Sequence, residues 1–256
     1  MFDAVIFDLD ETLIPDEPLS AHAFYVTALE LTQDAARARR LAETAEREAR
    51  TVFKALPQAL IDYALRIGHS ALEGMWATYD PHVPEEKELA QHVLHLRPEA
   101  WRRALALCNE RGDPEALQQR WQHLRARAPL FDDVDEVLAL LRPHTKLGII
   151  TNGVSGLQRR KVHLSGLTHW FDVIAISGEV GIGKPDKGIF EWVAQQLRVP
   201  MENCVMVGDN SERDIQGGIN AGMKTVWLDR GFKPRGVKAD VEARTLREVL
   251  PWFLGA

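Results

Sequence analysis

Four short polar segments of this sequence carry the side chains that could do chemistry. An Asp-x-Asp pair, Asp8 and Asp10, follows the first apolar run of the chain, and Thr151-Asn152-Gly153 follows a later run. Gly208-Asp209-Asn210 follows another run, and a Gly-Lys-Pro-Asp segment adds Lys184, the only cation among the four segments. Carboxylates serve as nucleophiles, acid–base groups and ligands of hard cations. The four segments together therefore offer a nucleophile, an acid–base group, a hydroxyl and a cation.

The apolar runs that precede these segments predict buried parallel strands. After Pro129 the runs 147–150, 173–176, 204–207 and 225–228 alternate with longer helical patterns. Runs this apolar suit strands that are buried on both faces, and the helical stretches are long enough for right-handed crossovers. The sequence therefore predicts an α/β fold with a doubly wound parallel sheet. Such sheets bind ligands at the carboxyl ends of their strands, where three of the polar segments begin.

A long helical stretch interrupts the strands. Between Leu19 and about Ala128 the apolar residues recur at helical spacing, as in the stripe Phe24, Ala28, Leu31 and Ala35. Pro98 and Pro114 are placed like prolines of a first helical turn, and they predict two further short helices. This stretch contains no run that is typical of a strand. We therefore predict that it forms an all-helical bundle.

The helical stretch divides the chain into two predicted domains. Residues 1–15 and 128–256 form the predicted catalytic core, and residues 16–127 form an all-helical cap domain that is inserted into it. All four polar segments lie outside the insertion. We therefore expect the core to do the chemistry and the cap to select the substrate.

Composition and charge indicate which classes of binding partner the protein is not expected to have. The 256 residues contain 31 Lys and Arg against 37 Asp and Glu, which gives a formal net charge of −6. This charge creates no field that would collect a nucleic acid along the surface. The sequence has no basic leader and no apolar stretch of about 18 residues, so we expect a cytoplasmic protein without a membrane partner. The two cysteines lack metal-ligand spacing, and no feature indicates a protein partner.

In their order and residue types, the four polar segments resemble the four motifs of the haloacid dehalogenase (HAD) superfamily. The matching segments are Asp8–Thr12, Thr151–Gly153, Lys184–Asp186 and Gly208–Asp214. A single Asp-x-Asp pair is frequent and usually solvated, whereas four segments at predicted strand and helix ends are specific. The stretch 214–228 also resembles the helical-cap branch that includes N-acylneuraminate-9-phosphatase and the pyrimidine nucleotidases. The resemblance implies a Rossmann-like core, a helical cap and Mg²⁺-dependent phosphate-ester hydrolysis.

The resemblance implies a role for each aspartate of the first segment. Phosphoryl transfer needs an in-line nucleophile, cations around the non-bridging oxygens and a proton donor for the leaving oxygen. Asp8 is expected to attack phosphorus and form an aspartyl-phosphate, which splits the hydrolysis into two displacements. Asp10 is expected to protonate the leaving oxygen and then to deprotonate the attacking water.

The same resemblance implies a Mg²⁺ site. Its expected ligands are the carboxylates of Asp8 and Asp209 and the backbone carbonyl of Asp10, because Mg²⁺ prefers oxygen ligands and keeps several waters. For Asp214 three roles stay open, namely direct ligation, ligation through water, and orientation of the lysine. Asn210 is expected to form a turn, with support of a ligated water as the alternative.

The resemblance implies that the Thr151-Asn152-Gly153 segment and the Lys184 segment bind phosphate. Thr151 would offer its hydroxyl, and Asn152 and Gly153 would offer their backbone N–H groups where a helix begins. Lys184 would neutralise the transferring phosphate and the crowded carboxylates. Lys187 is a rival on proximity, but only Lys184 matches the family pattern.

Three alternatives to a phosphatase stay open at the level of sequence. A dehalogenase attacks carbon and expels a halide that needs no proton, so the second acid, Asp10, argues against it. A phosphomutase would keep both Asp8 and Asp10 and would differ in how its cap excludes water. A catalytically silent binding protein should have lost some of these side chains, and none is lost. We therefore predict a HAD-type phosphatase that acts on a small phosphorylated metabolite.

Overall fold

A six-stranded parallel sheet organises the first of the two units into which the chain divides. The computed structural model describes residues 2–232, 234 and 236–255. The strands are β1 (Ala4–Phe7), β2 (Lys146–Thr151), β3 (Val173–Ile176), β4 (Cys204–Gly208), β5 (Lys224–Leu228) and β6 (Val241–Ala243). Their order is β3-β2-β1-β4-β5-β6, and each neighbouring pair is parallel. The predicted parallel sheet is confirmed, and β6 is a strand that the apolar runs did not indicate.

Helices on both faces make this sheet doubly wound. The helices that follow the insertion are α7 (Val134–Leu141), α8 (Ser155–Leu164), α9 (Ser177–Val180), α10 (Lys187–Leu197), α11 (Gly217–Asn220) and α12 (Leu246–Leu254). Val5 and Phe7 of β1 pack in one core with α7 and α12, while Ala4 and Ile6 pack in another with α10. Side chains alternate along a strand, so an unbroken apolar run fills both cores.

The second unit is all-helical, as predicted for the insertion. Its helices are α1 (Asp16–Thr32), α2 (Ala35–Phe53), α3 (Gln58–Ile67), α4 (Ala71–Gly74), α5 (Pro84–Cys108) and α6 (Pro114–Arg125). By internal packing it comprises Asp16–Arg127 and Gly153–Arg160, and the sheet unit comprises Met1–Pro15, Ala128–Asn152 and Lys161–Ala256. Within the described residues, no helix is both long and apolar enough to cross a membrane.

The segment Gly153–Arg160 departs from the predicted boundaries, which assigned it to the core. Its side chains Val154 and Leu157 are fully buried in the hydrophobic core of the helical unit. Packing of these two apolar residues therefore groups the first turns of α8 with the helices of the insertion. The roles of catalytic core and cap remain predictions.

The expectation for Pro98 is wrong. Pro98 does not begin a helix but lies inside α5, whose first-turn proline is Pro84. An interior proline costs about 3 kcal/mol because it removes a backbone hydrogen bond and crowds the preceding turn. Leu89 and Trp101, on either side of Pro98, are fully buried in the same core, which keeps the helix continuous. Pro114 does lie in the first turn of a helix, as predicted.

The predicted stripe on the first helix ends earlier than expected. Phe24 and Ala28 are buried and Leu31 packs against the same core, whereas Ala35 is exposed. The side chain of Asp34 caps the start of α2, so Ala35 belongs to a new helix. A new helix has its own phase, and Ala35 therefore leaves the buried face.

Candidate active site

The carboxyl ends of three neighbouring strands bring predicted site residues to one edge of the sheet. Strand β1 lies between β2 and β4 and is followed at once by Asp8, whose N–H donates to the carbonyl of Val207 at 2.9 Å. Thr151 is the last residue of β2, and Asp209 follows the last residue of β4. All three predicted side chains are buried. Parallel strands end on the same side, so these residues lie at adjacent strand ends.

A buried lysine bridges two aspartates at this edge. The Lys184 ammonium donates to Oδ1 of Asp8 and lies 2.6 Å from Oδ1 of Asp214. Burial alone would lower the pKa of Lys184, but the carboxylates of Asp214 and Asp8 outweigh burial and raise it. Burial, with a smaller contribution from Asp8, raises the pKa of Asp214 to about 6 although Lys184 opposes the shift. Lys184 therefore stays charged and holds together two carboxylates that would repel each other.

The rival lysine lies on the surface of α10. Lys187 is exposed, and its ammonium pairs with Glu191 one helical turn later at 3.1 Å. The helix begins at Lys187 itself, after Asp186, whose side chain caps it. The structure thus brings Lys184, and not Lys187, to Asp8.

Asn152 joins the segment after β2 to the lysine segment. Its Nδ2 donates to the carbonyl of Lys184, and its Oδ1 accepts from the N–H of Lys184, both at 2.9 Å. We expected only backbone groups of Asn152 to act in the site, and the side-chain role was missed because its partner is distant in sequence. The next residue, Gly153, has a φ of 138°, and the side chain of Gln158 fills the space that a Cβ would need.

Three buried carboxylates form a cluster that fits a hard cation. Asp8, Asp209 and Asp214 each offer one oxygen atom, and the three oxygens lie within 4.8 Å of one another. The indole N–H of Trp227 donates to the backbone carbonyl of Asp209 at 2.7 Å, which fixes the position of that residue. Carboxylate oxygens are the ligands that Mg²⁺ prefers in proteins. Asp214, whose role the sequence left open, both joins this cluster and contacts Lys184.

Local structure after β4 sets the position of Asp214. The side chain of Asn210 accepts from the N–H groups of Glu212 at 3.1 Å and Arg213 at 2.9 Å, and it thereby caps the following turn. The N–H of Asn210 donates to Oδ2 of Asp214 at 2.9 Å. A Cβ on Gly208 would collide with the Asp214 carboxyl group, which requires glycine there. The structure therefore gives Asn210 a turn-forming role.

Two residues to which the sequence analysis assigned no role contact the Asp-x-Asp pair. The ammonium of Lys161 lies 3.0 and 2.9 Å from the two carboxylate oxygens of Asp10. The hydroxyl of Thr12 donates to Oδ2 of Asp8 at 3.4 Å. A signal for Lys161 was available, because it lies within two turns of the start of α8, which follows the end of β2. The structure thus adds one cation and one hydroxyl to the predicted set.

Comparisons with known proteins point to one family. The family description of haloacid dehalogenase-like hydrolases matches residues 2–222. A phosphoserine phosphatase of Thermus thermophilus is 36% identical over 251 residues, which cover 96% of this chain and 96% of that protein. The pyrimidine 5'-nucleotidase YjjG of Escherichia coli is 32% identical over 206 residues, covering 77% of this chain and 88% of that protein. A crystal structure of a HAD phosphatase from Thermococcus onnurineus has a TM-score of 0.56 and 26% identity, covering 99% of this chain and 98% of that chain.

These similarities include the residues that surround the buried lysine. The matched range 2–222 contains all four polar segments, from Asp8 to Asp214. The phosphoserine phosphatase of Thermus thermophilus aligns over both the sheet unit and the helical unit. The chain belongs to the haloacid dehalogenase-like hydrolase family, in its phosphatase branch.

Proposed function

We propose that the protein is a Mg²⁺-dependent phosphomonoester hydrolase that acts on a small phosphorylated metabolite. The observation that carries this proposal is the position of Asp8, which contacts Lys184 and shares an oxygen cluster with two further aspartates. A carboxylate is repelled by a phosphate ester unless positive charge lies beside both groups. The buried ammonium supplies part of that charge, and the oxygen cluster is suited to a divalent cation that would supply the rest.

The two aspartates of the first segment divide the proposed reaction into two displacements. A carboxylate oxygen of Asp8 forms a bond to phosphorus as the bond from phosphorus to the ester oxygen breaks, and Asp10 gives a proton to that leaving oxygen. Water then attacks phosphorus of the aspartyl-phosphate and gives a proton to Asp10. The second displacement releases inorganic phosphate and restores the Asp8 carboxylate.

The remaining residues hold the phosphate in this proposal. Thr151 offers its hydroxyl, and Asn152 and Gly153 offer backbone N–H groups at the start of a helix. Lys184 neutralises charge on the transferring group, and two hydrogen bonds between the Asn152 side chain and the backbone N–H and carbonyl of Lys184 hold that backbone in place. A fixed cation does not need to reorganise as charge moves, which is the main electrostatic advantage of a preorganised site.

The donor set fits Mg²⁺. Asp8, Asp209 and Asp214 are buried together with one ammonium between them, so their ionised carboxylates leave negative charge that a divalent cation would balance. We propose that Asp8, Asp209 and the carbonyl of Asp10 hold the ion, with Asp214 adjoining it. When bound, Mg²⁺ supplies positive charge to the non-bridging phosphate oxygens.

Removal of divalent cations is expected to lower the rate on 4-nitrophenyl phosphate by about 100-fold, because Lys184 alone cannot neutralise the phosphate. The rate is measured in EDTA and again after excess Mg²⁺ is restored. Mg²⁺ should also raise the Tm of the protein, since the ion binds the folded cluster only, and Asp209→Asn should abolish that rise. Full turnover in EDTA would contradict the proposed metal dependence.

We expect the helical unit to determine which phosphate ester is the natural substrate. O-phosphoserine is the first substrate to test, because the phosphoserine phosphatase of Thermus thermophilus matches nearly the whole chain. Pyrimidine nucleoside 5'-monophosphates come next, because the nucleotidase of Escherichia coli matches both units. Release of inorganic phosphate from one of these esters supports a phosphatase, whereas an isomeric phosphate ester as the product indicates a mutase.

Asp10→Asn is expected to act more strongly on esters with poor leaving groups. We expect kcat/KM to fall by about 100-fold for phenyl phosphate and by about tenfold or less for 4-nitrophenyl phosphate, because the stronger base needs the proton. The ratio kcat/KM reports the steps up to departure of the leaving group, which isolates the acid role. Equal losses on the two esters would exclude Asp10 as the proton donor.

A further inference from the structure

Lys161 is a buried cation to which the proposed mechanism gives no role. Its side chain is 0% exposed, and its ammonium contacts both carboxylate oxygens of Asp10, at 3.0 and 2.9 Å. The side chain of Asp10 is 23% exposed, so this carboxylate reaches solvent while Lys161 does not. Burying an ammonium group costs free energy unless a carboxylate pairs with it, and the Asp10 carboxylate provides this pairing for Lys161.

Hydrogen bonds within the turn after β1 fix the backbone that carries Asp10. Asp10 and Ile14 form a β-bridge, and the N–H of Glu11 donates to the carbonyl of Ile14 at 2.7 Å. The N–H of Leu13 donates to the carbonyl of Leu9 at 2.9 Å. With the backbone fixed in this way, the main remaining freedom of Asp10 is rotation of its side chain.

The contact with Lys161 restricts that rotation. A contact to one oxygen lets the carboxyl group swing about that oxygen, whereas an ammonium that contacts both oxygens at nearly equal distances holds the carboxyl group in one place and so restricts the χ1 rotamer of Asp10. The backbone at Lys161 is held in place because the next residue, Val162, is buried in the core of the sheet unit, and the Lys161 side chain is itself fully buried. A rigid group thus orients a solvent-accessible carboxylate next to the proposed nucleophile.

We propose that Lys161 is a positioning residue that holds the carboxylate of Asp10 in the orientation needed for proton transfer. The inference rests on the proposed function, in which Asp10 is the general acid and base. Lys161 does not touch the phosphate in this proposal and acts only through Asp10. Its effect should therefore disappear when Asp10 can no longer transfer a proton.

The first test is Lys161→Met, assayed on phenyl phosphate and 4-nitrophenyl phosphate. We expect kcat/KM to fall by about 30-fold on phenyl phosphate and by less than about fivefold on 4-nitrophenyl phosphate, as for loss of a positioned acid. The inhibition constant of inorganic phosphate should change by less than about twofold, because Lys184 and the phosphate-binding segment are unchanged. Lys161→Arg should recover part of the rate.

The control variant is Lys187→Met, which removes an exposed lysine of the same unit that pairs with Glu191. It should leave both rates and the phosphate inhibition constant unchanged. If Lys161→Met does not fold, Lys161→Gln and Lys161→Arg are compared instead, and the arginine variant should be at least about tenfold faster on phenyl phosphate. Equal rates for these two variants would overturn the proposal.

The second test places Lys161→Met in an Asp10→Asn background. A residue that acts only through Asp10 should change the rate of this background by less than about threefold. An equal effect in both backgrounds would overturn the inference, as would no effect of Lys161→Met in the wild type. If Asp10→Asn itself leaves both esters unaffected, the proposed acid–base role fails as well. Loss of activity in Asp10→Asn but not in Lys161→Met would overturn the inference alone.

Discussion

Asp8→Asn is expected to lower turnover by at least about 10⁴-fold, because a neutral amide is a poor nucleophile towards phosphorus. The substitution also removes one of the two negative charges that pair with the Lys184 ammonium, and it replaces one carboxylate of the three-carboxylate cluster by a neutral amide. The fold should persist, since the amide keeps the shape of the side chain and Asp214 still pairs with the lysine at 2.6 Å. Turnover, formation of the covalent intermediate and the Tm are therefore measured separately for Asp8→Asn.

The covalent step is tested by rapid acid quenching after mixing with a labelled phosphate ester. The wild type should carry protein-bound phosphate that is released by hydroxylamine, and Asp8→Asn should carry none. Asp3→Asn is the matched control, because Asp3 is exposed at the opposite end of β1, where its carboxylate accepts from the side-chain amide of Asn203. Near-normal turnover of Asp8→Asn in material free of the wild type would refute the aspartyl-phosphate mechanism.

Lys184→Met is expected to lower turnover by about 10³-fold and also to destabilise the fold. The loss of rate follows because the transferring phosphate would lose a preorganised cation. The loss of stability follows because Asp8 and Asp214 would remain buried without their common partner, and breaking a buried ion pair typically costs about 3–5 kcal/mol. Lys187→Met, on the exposed surface, should change neither quantity.

The loss of stability in Lys184→Met is expected to depend on pH, and the pKa of Asp214 gives the direction of that dependence. The pKa of Asp214 is raised to about 6 even with Lys184 present, and without the lysine it should rise further. A carboxyl group whose pKa is raised by folding destabilises the folded state when ionised, and the penalty disappears as the pH falls and the group is protonated. In EDTA, the Tm deficit of Lys184→Met should therefore be larger at about pH 8 than at about pH 5. A deficit that is independent of pH would show that the lysine stabilises the fold by packing instead.

The strands and the chemical segments were predictable because their signals are local. Runs such as Cys204–Val207 have to be buried on both faces, and a parallel sheet is the arrangement that buries them. The residues after such runs necessarily lie at the carboxyl edge. Which of these strand ends are neighbours depends on the strand order, which the sequence analysis did not predict; the order β2-β1-β4 in the structure makes the ends that carry Asp8, Thr151 and Asp209 adjacent.

What the sequence determined by itself was the α/β class, the all-helical insertion and the residue types at the strand ends. The tertiary structure decided which side chains meet, because those contacts join segments that local patterns do not relate. Asn152 binds the backbone of Lys184 across 32 residues, and Lys161 reaches Asp10 across 151 residues. Apolar periodicity specifies which face of an element is buried, but polar contacts of this kind depend on the register and distance between elements. Packing of the whole chain sets that distance, and it therefore determined that a second buried lysine lies beside Asp10, the proposed acid–base residue.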